Sequence, residues 1–121
     1  MKFDKRYSTR VKKFYLPFFR SATAVLDLGC GSGEFLQLLK SKGIRGYGVD
    51  SDSKMIQDCK RQGLNVIEAD AFSFLEKNRR KFDGIFCSHL LEHMPVKDSL
   101  KLLSLCRKPL TKHGIILVCT P

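Results

Sequence analysis

Two hydrophobic periods alternate along the 121-residue chain. Short apolar runs read as strands: AVLDLG (24–29), GYGVD (46–50), LNVIEAD (64–70), FDGIFCS (82–88) and GIILVCT (114–120). Between them, apolar residues recur three and four apart, which predicts helices over GEFLQLLKSKG (33–43), DSKMIQDCKRQG (52–63), FSFLEKNRR (72–80) and VKDSLKLLSLCRKPL (96–110). The second helix is expected to turn Met55, Ile56 and Cys59 inward, and the fourth Val96, Leu100 and Leu103. Asp or Ser stands at plausible N-caps, and glycine follows helix ends, Gly43 among them. Ahead of the first strand, Tyr7, Val11, Phe14, Tyr15 and Phe18 fall on one helical stripe, and Arg6, Arg10 and Lys13 on another. Residues 1–20 therefore read as a basic amphipathic helix that Pro17 ends or kinks, packed on the domain rather than lying on a membrane.

Five apolar strands separated by helices demand a parallel sheet covered on both faces. Right-handed crossovers then favour a doubly wound α/β fold, strand order 3-2-1-4-5, in one domain over residues 1–121. Its strand order reverses between strands 1 and 4, so a ligand is expected beyond their carboxyl ends.

Composition narrows the setting. No apolar run is long enough to span a bilayer and no secretory signal opens the chain, which implies a cytoplasmic protein. Five cysteines, an odd number without a CxxC pair, read as reduced core thiols. The net charge of +10 concentrates in residues 1–20 and in KNRRK (77–81). Such clusters suit a polyanion such as RNA, or form a solvated basic face.

The chemistry gathers after the first strand, at Gly29, Gly31 and Gly33. A dinucleotide fingerprint, G-x-G-x-x-G, requires a small residue at position 34, where this chain has Glu34. A carboxylate at that helix start would repel a pyrophosphate. An adenosine ligand without phosphates, S-adenosylmethionine, suits the loop better. Asp27 can balance its ammonium group, Asp50 can accept from a ribose diol, and Asp70 with the Ala71 N–H can meet an adenine. Asp50 and Asp70 each precede a helix, so each alone could equally be an N-cap. Three successive strands ending in Asp favour the ligand.

These segments resemble the class I, Rossmann-like S-adenosylmethionine-dependent methyltransferases. VLDLGCGSGEF is similar to that family's first motif, GVD to its second-strand acidic motif, EADAF to its third, and FDGIFCSHLLEHM and LTKHGIILVCTP to its fourth- and fifth-strand segments. The resemblance covers residues 20–121 and implies methyl transfer to an O or N acceptor on a small molecule or saccharide. It implies that Asp27, Gly29, Cys30, Gly31 and Gly33 line the methionine end, Asp50 and Ser51 the ribose, and Asp70 and Ala71 the adenine, with Ser88 and His89 beside the transferable methyl group. Family members usually add a two-strand hairpin after the fifth strand. This chain stops at Pro121, so either it is a fragment of a longer protein or something else, a second copy or a partner chain, is expected to cover the edge of strand 5.

HLLEH (89–93) also matches an inverted zinc-peptidase pattern, with two histidines sharing a helix face, but little chain remains to supply a third ligand. In some members of the resembled family a Glu-x-x-Glu-His group holds a divalent metal. Only Glu92 and His93 carry over from it, and no metal is expected here. Methyl transfer from a sulfonium depends chiefly on positioning the acceptor. Where the acceptor must lose a proton, His89 is the expected base and His93 the second choice. Two other readings stay open: an RNA methyltransferase that uses the basic N-terminal face, and a non-catalytic S-adenosylmethionine-binding or partner-binding subunit.

Overall fold

A computed structural model describes residues 12–88 and 90–119. The strands are β1 (Ala24–Leu28), β2 (Arg45–Asp50), β3 (Val66–Glu68), β4 (Phe82–Ser88) and β5 (Leu110–Cys119). The helices are α1 (Glu34–Ser41), α2 (Ser53–Arg61), α3 (Ala71–Lys77) and α4 (Val96–Arg107), with 3₁₀ turns at Leu16–Phe19 and Leu91–His93. All strand pairs are parallel in the order β3-β2-β1-β4-β5, the expected doubly wound sheet. Among the described residues no helix is long and apolar enough to cross a membrane.

Each face of the sheet carries its own core. On one, Phe19, Phe35, Leu36, Leu39, Ile56 and Phe86 pack together, with the Phe35 and Phe86 rings stacked at 4.1 Å. On the other, Leu26, Leu28, Leu75, Phe82, Ile85 and Leu102 do the same. Asp83 ties the start of β1 to β4, its carboxylate accepting from the N–H groups of Thr23 (2.8 Å) and Ala24 (2.9 Å). Glycine at position 84 makes room for the Phe19 ring, which a methyl group there would approach to 2.6 Å.

Several expected faces are corrected. Phe14 and Phe18 are exposed, whereas Leu16 and Phe19 are buried and Tyr15 is half-buried. The helical turn at residues 12–15 gives way at Pro17 to the 3₁₀ turn, whose three-residue repeat brings Leu16 and Phe19 to the same side. Tyr7, Val11, Arg6 and Arg10 lie outside the described residues. On α2, Met55 is exposed and Ile56 with Cys59 alone faces inward. On α4, Val96 and Leu100 face solvent and Leu102 with Cys106 faces the core. Leucines at 100, 102, 103 and 105 give that helix two candidate stripes, and the sheet takes the second. α3 ends at Lys77 because Asn78 turns the chain, bonding Arg80 through both its side-chain donor and acceptor. β5 starts at Leu110, earlier than expected: Pro109 follows the end of α4, Leu110 pairs with Phe82, and pairing resumes at Ile115 after a bulge.

Candidate functional site

β1 runs into a loop at residues 29–33 that the neighbouring strand holds in shape. The N–H groups of Gly29 (2.8 Å) and Cys30 (3.1 Å) both donate to the Val49 carbonyl. The Gly31 N–H donates to Asp50 Oδ2 at 2.9 Å, and the Asp52 N–H donates to the other oxygen at 2.8 Å. From below, the Cys59 thiol donates to the Gly31 carbonyl at 3.2 Å, and the Gln62 side chain to that of Ser32 at 2.9 Å.

The glycines serve different ends. Gly31 has φ +57° and open space where a side chain would stand, so the backbone there is bare toward any ligand. Gly33 has φ +93°, and an added Cβ would come within 2.5 Å of Leu64 and 3.1 Å of the Cys59 sulfur. Its bareness lets the loop settle onto α2.

Beyond the carboxyl ends of β1, β2 and β3 lies a cavity of about 110 Å³. Gly29, Asp50, Ser51, Asp70 and Ala71, all expected at the site, line it together, and Phe72, Leu90 and Met94 close it with apolar surface. The cap question divides: Asp52, not Asp50, caps α2, leaving the Asp50 carboxylate on the loop. Asp70 does cap α3, accepting from the Ser73 N–H at 3.0 Å through one oxygen.

Asp27 lies inside β1, 2% exposed, with Oδ2 buried and without a hydrogen-bond partner. Burial pushes its pKa up to about 7, Lys12 opposes the rise, and Glu34 and Asp50 add to it. Glu34 opens α1, where its carboxylate accepts from the Ser32 hydroxyl at 2.7 Å and pairs with Lys12 Nζ at 3.4 Å. Burial would raise Glu34, but the Ser32 bond and Lys12 outweigh it and hold the acid below its usual range. Asp27 and Glu34 thus share one lysine in a largely dry corner, with Asp50 close enough to add to the Asp27 shift.

Lys12 is the residue that sequence reasoning misplaced. Expected on a basic face, it is 9% exposed and points into this cluster. A signal existed, since it lies four residues before Leu16 and seven before Phe19, on the stripe that is buried. Phe72, Leu90 and Met94 were also missed, having no chemistry to mark them. Cys30 is turned away from the cavity: it is 1% exposed, and a methyl group on Gly48 would come within 2.8 Å of its sulfur. Ser88 is buried at the end of β4. The described part of the HLLEH segment, residues 90–93, is not α-helical, as a shared histidine face would require. Leu91–His93 is a 3₁₀ turn stopped before Pro95, with the His93 ring largely in solvent, 3.6 Å from Glu92. His89 lies outside the described residues. Among those described, no three His, Cys, Asp or Glu side chains gather as a metal site.

Residues 2–121 match a protein-family model described as "Methyltransferase domain". The ubiquinone biosynthesis O-methyltransferase of Histophilus somni is 33% identical over 107 residues, covering 79% of this chain and 44% of that protein. The enzyme of the same name from Coxiella burnetii is 32% identical over 101 residues, covering 79% and 42%. The crystal structure of a SAM-dependent methyltransferase from Archaeoglobus fulgidus superposes with a TM-score of 0.87 at 34% identity, covering 95% of this chain and 52% of that one. The chain spans about half the length of these relatives.

Proposed function

Because the chain belongs to the methyltransferase domain family, we propose that it binds S-adenosylmethionine at the carboxyl edge of β1–β3 and transfers its methyl group to an oxygen or nitrogen of a small molecule. One observation carries the cofactor reading: Asp27 Oδ2 is buried and unpartnered, with Glu34 and Asp50 near enough to raise its pKa and the single Lys12 already paired with Glu34. That corner suits one more cation, such as an amino acid's ammonium group, and is hostile to a pyrophosphate. The relatives named O-methyltransferase support an oxygen acceptor. The five buried, unpaired cysteines support a cytoplasmic setting.

The expected roles fit the chain's own residues. Asp27 holds the ammonium end, the Gly31 backbone lies bare beside it, and Asp50 accepts from the ribose hydroxyls through lone pairs that Gly31 and Asp52 leave free. Ser51, Asp70 and Ala71 edge the base, while Phe72, Leu90 and Met94 exclude water from its faces. Cys30 shapes the loop from beneath. The bound cofactor supplies a methyl already activated by its sulfonium, so the protein's task is to hold the acceptor in line. Where the acceptor is a hydroxyl, His89 or the exposed His93 takes its proton.

Calorimetric titration with S-adenosylmethionine, its demethylated product and NAD tests the reading. Both adenosyl ligands should bind and NAD should not. Asp50→Ala should weaken them by about 1.5–3 kcal/mol, the value of hydrogen bonds to a charged acceptor. Tighter binding of NAD, or unchanged affinity in the variant, would refute the assignment.

A further inference from the structure

At the other end of the sheet, where the strands begin, lies a hollow of about 650 Å³. Lys77, Arg79, Arg80, Lys81 and Lys108 line it against one carboxylate, Glu76. None of the five cations makes an ion pair among the described residues. Two are nevertheless held in place. The Arg80 guanidinium lies over the Tyr47 ring at 4.4 Å and donates to its hydroxyl at 2.9 Å, and Lys81 Nζ donates to the Lys108 carbonyl at 2.7 Å.

Helix ends account for part of this charge. α3 and α4 both finish here, and a cation in each last turn, Lys77 and Arg107, complements their dipoles. Arg79, Arg80, Lys81 and Lys108 exceed that need, and unpaired like charges repel one another. The surplus also follows a line. Exposed Arg45 begins β2, Arg80 and Lys81 precede β4, and Lys108 precedes β5. In the order β2-β1-β4-β5, three strand spacings separate the backbone positions of Arg45 and Lys108 by roughly 14 Å, and the Arg80 guanidinium reaches back over Tyr47 of β2. At about 3.4 Å of rise per phosphate in a stacked strand, that separation spans about four phosphates.

We propose that this basic rim docks the phosphodiester backbone of a single nucleic-acid strand. Five cations around one hollow, none of them in an ion pair among the described residues, suit a chain of phosphates better than one small anion. A bilayer is disfavoured, since the exposed large apolar residues (Phe14, Phe18, Met55, Ile67, Val96, Leu100, Ile115 and Val118) all lie off the hollow's lining. The strand is read by charge and not by sequence, and it lies at the opposite end of the sheet from the glycine loop. Docking therefore tethers the protein and leaves the ligand edge open.

Fluorescence anisotropy of labelled 20-nucleotide single-stranded RNA and DNA, titrated with the full chain from 50 to 200 mM salt, tests this. The variant Arg45→Gln/Arg79→Gln/Lys108→Gln spares the two tied cations and the Lys77 that complements α3, and changes exposed side chains, so its thermal melting should match the wild type. Each lost phosphate contact should flatten the log–log salt slope by about 0.7, so three flatten it by about 2 and weaken binding about 100-fold at 0.1 M salt. The charge-retaining Lys77→Arg/Lys108→Arg variant should keep the wild-type slope, as should Lys54→Gln/Lys97→Gln at the opposite edge. A triple variant with wild-type slope would move the binding to another surface and overturn the proposal. So would the absence of strand binding, tenfold discrimination between RNA and DNA, or binding confined to vesicles containing anionic lipid.

Discussion

Replacing Asp27 by Asn gives the sharpest test of the ligand edge, because the effect has a sign and a pH window. In the folded protein the carboxyl titrates at about 7, against 3.8 for an ordinary Asp. Between those values the folded state holds a proton that the unfolded state has released, so stability falls as pH rises through the window. The rise from 3.8 to about 7 corresponds to about 4 kcal/mol lost by pH 7. Asn fills the same space and does not titrate. Asp27→Asn should therefore match the wild type in stability change below pH 4, gain on it steadily to pH 7, and hold a constant lead above.

Thermal melting at half-unit pH steps reads the difference. At about 4 °C per kcal/mol for a chain of this size, the lead should approach 15 °C. Taking the difference between the two proteins cancels the titrating groups that do not interact with Asp27, leaving Lys12, Glu34 and Asp50 as coupled contributors. Repeating the scan with saturating S-adenosylmethionine should reverse the order. An ammonium group beside Asp27 favours the charged carboxylate, so the ligand should stabilise the wild type increasingly toward high pH and the variant by an amount that hardly changes with pH. A lead that does not vary between pH 4 and 8 would refute the buried-charge argument. A ligand effect equal in both proteins would remove Asp27 from the ammonium subsite.

Three further outcomes probe the framework. Lys12→Met strands Glu34 and removes the cation opposing Asp27, and should cost about 2–3 kcal/mol in denaturant melts at pH 8, partly restored when Asp27→Asn is added. Gly84→Ala drives a methyl group to within 2.6 Å of the Phe19 ring and should cost about 1–3 kcal/mol, with no change in ligand affinity beyond that from unfolding. Asp83→Ala frees the Thr23 and Ala24 N–H groups and should cost about 1–2 kcal/mol; these bonds hold Asp83 below its usual pKa despite some burial, so the wild type should lose this increment as pH falls below 4.

The sheet order was legible because each β-strand carries a short apolar run and each crossover a helical one, and handedness prunes the rest. Helix faces were less legible where apolar residues are plentiful. α4 offers Val96, Leu100 and Leu103 on one side and Leu102 and Cys106 on another, and only packing against α3 and β5 decides between them. The N-terminal stripe failed for a different reason: Pro17 changes the helical repeat within the window over which the period is read. At the site, residues marked by chemistry at strand ends, Asp50, Ser51, Asp70 and Ala71, converge on one cavity. Lys12 did not stand out, since a lysine among seven basic residues in twenty looks like surface. Its burial follows from two carboxylates brought near it only by folding.

Helix dipoles do not explain the acids at the carboxyl edge. Asp52 and Asp70 cap helices and gain from their positions. Asp27 lies within a strand and Asp50 ends one, and neither caps a helix. Asp50 at least gains two backbone bonds. Asp27 gains none at Oδ2 and loses solvation, so the fold would be more stable with an apolar side chain or an amide there. A destabilising charge at the mouth of a preformed loop makes sense if a cation arrives to neutralise it, returning in binding what the empty site gives up in stability. The same reasoning makes Glu34 intelligible. On the proposed reading, a carboxylate at the start of α1 disfavours phosphates at the loop, while Lys12 balances part of its charge.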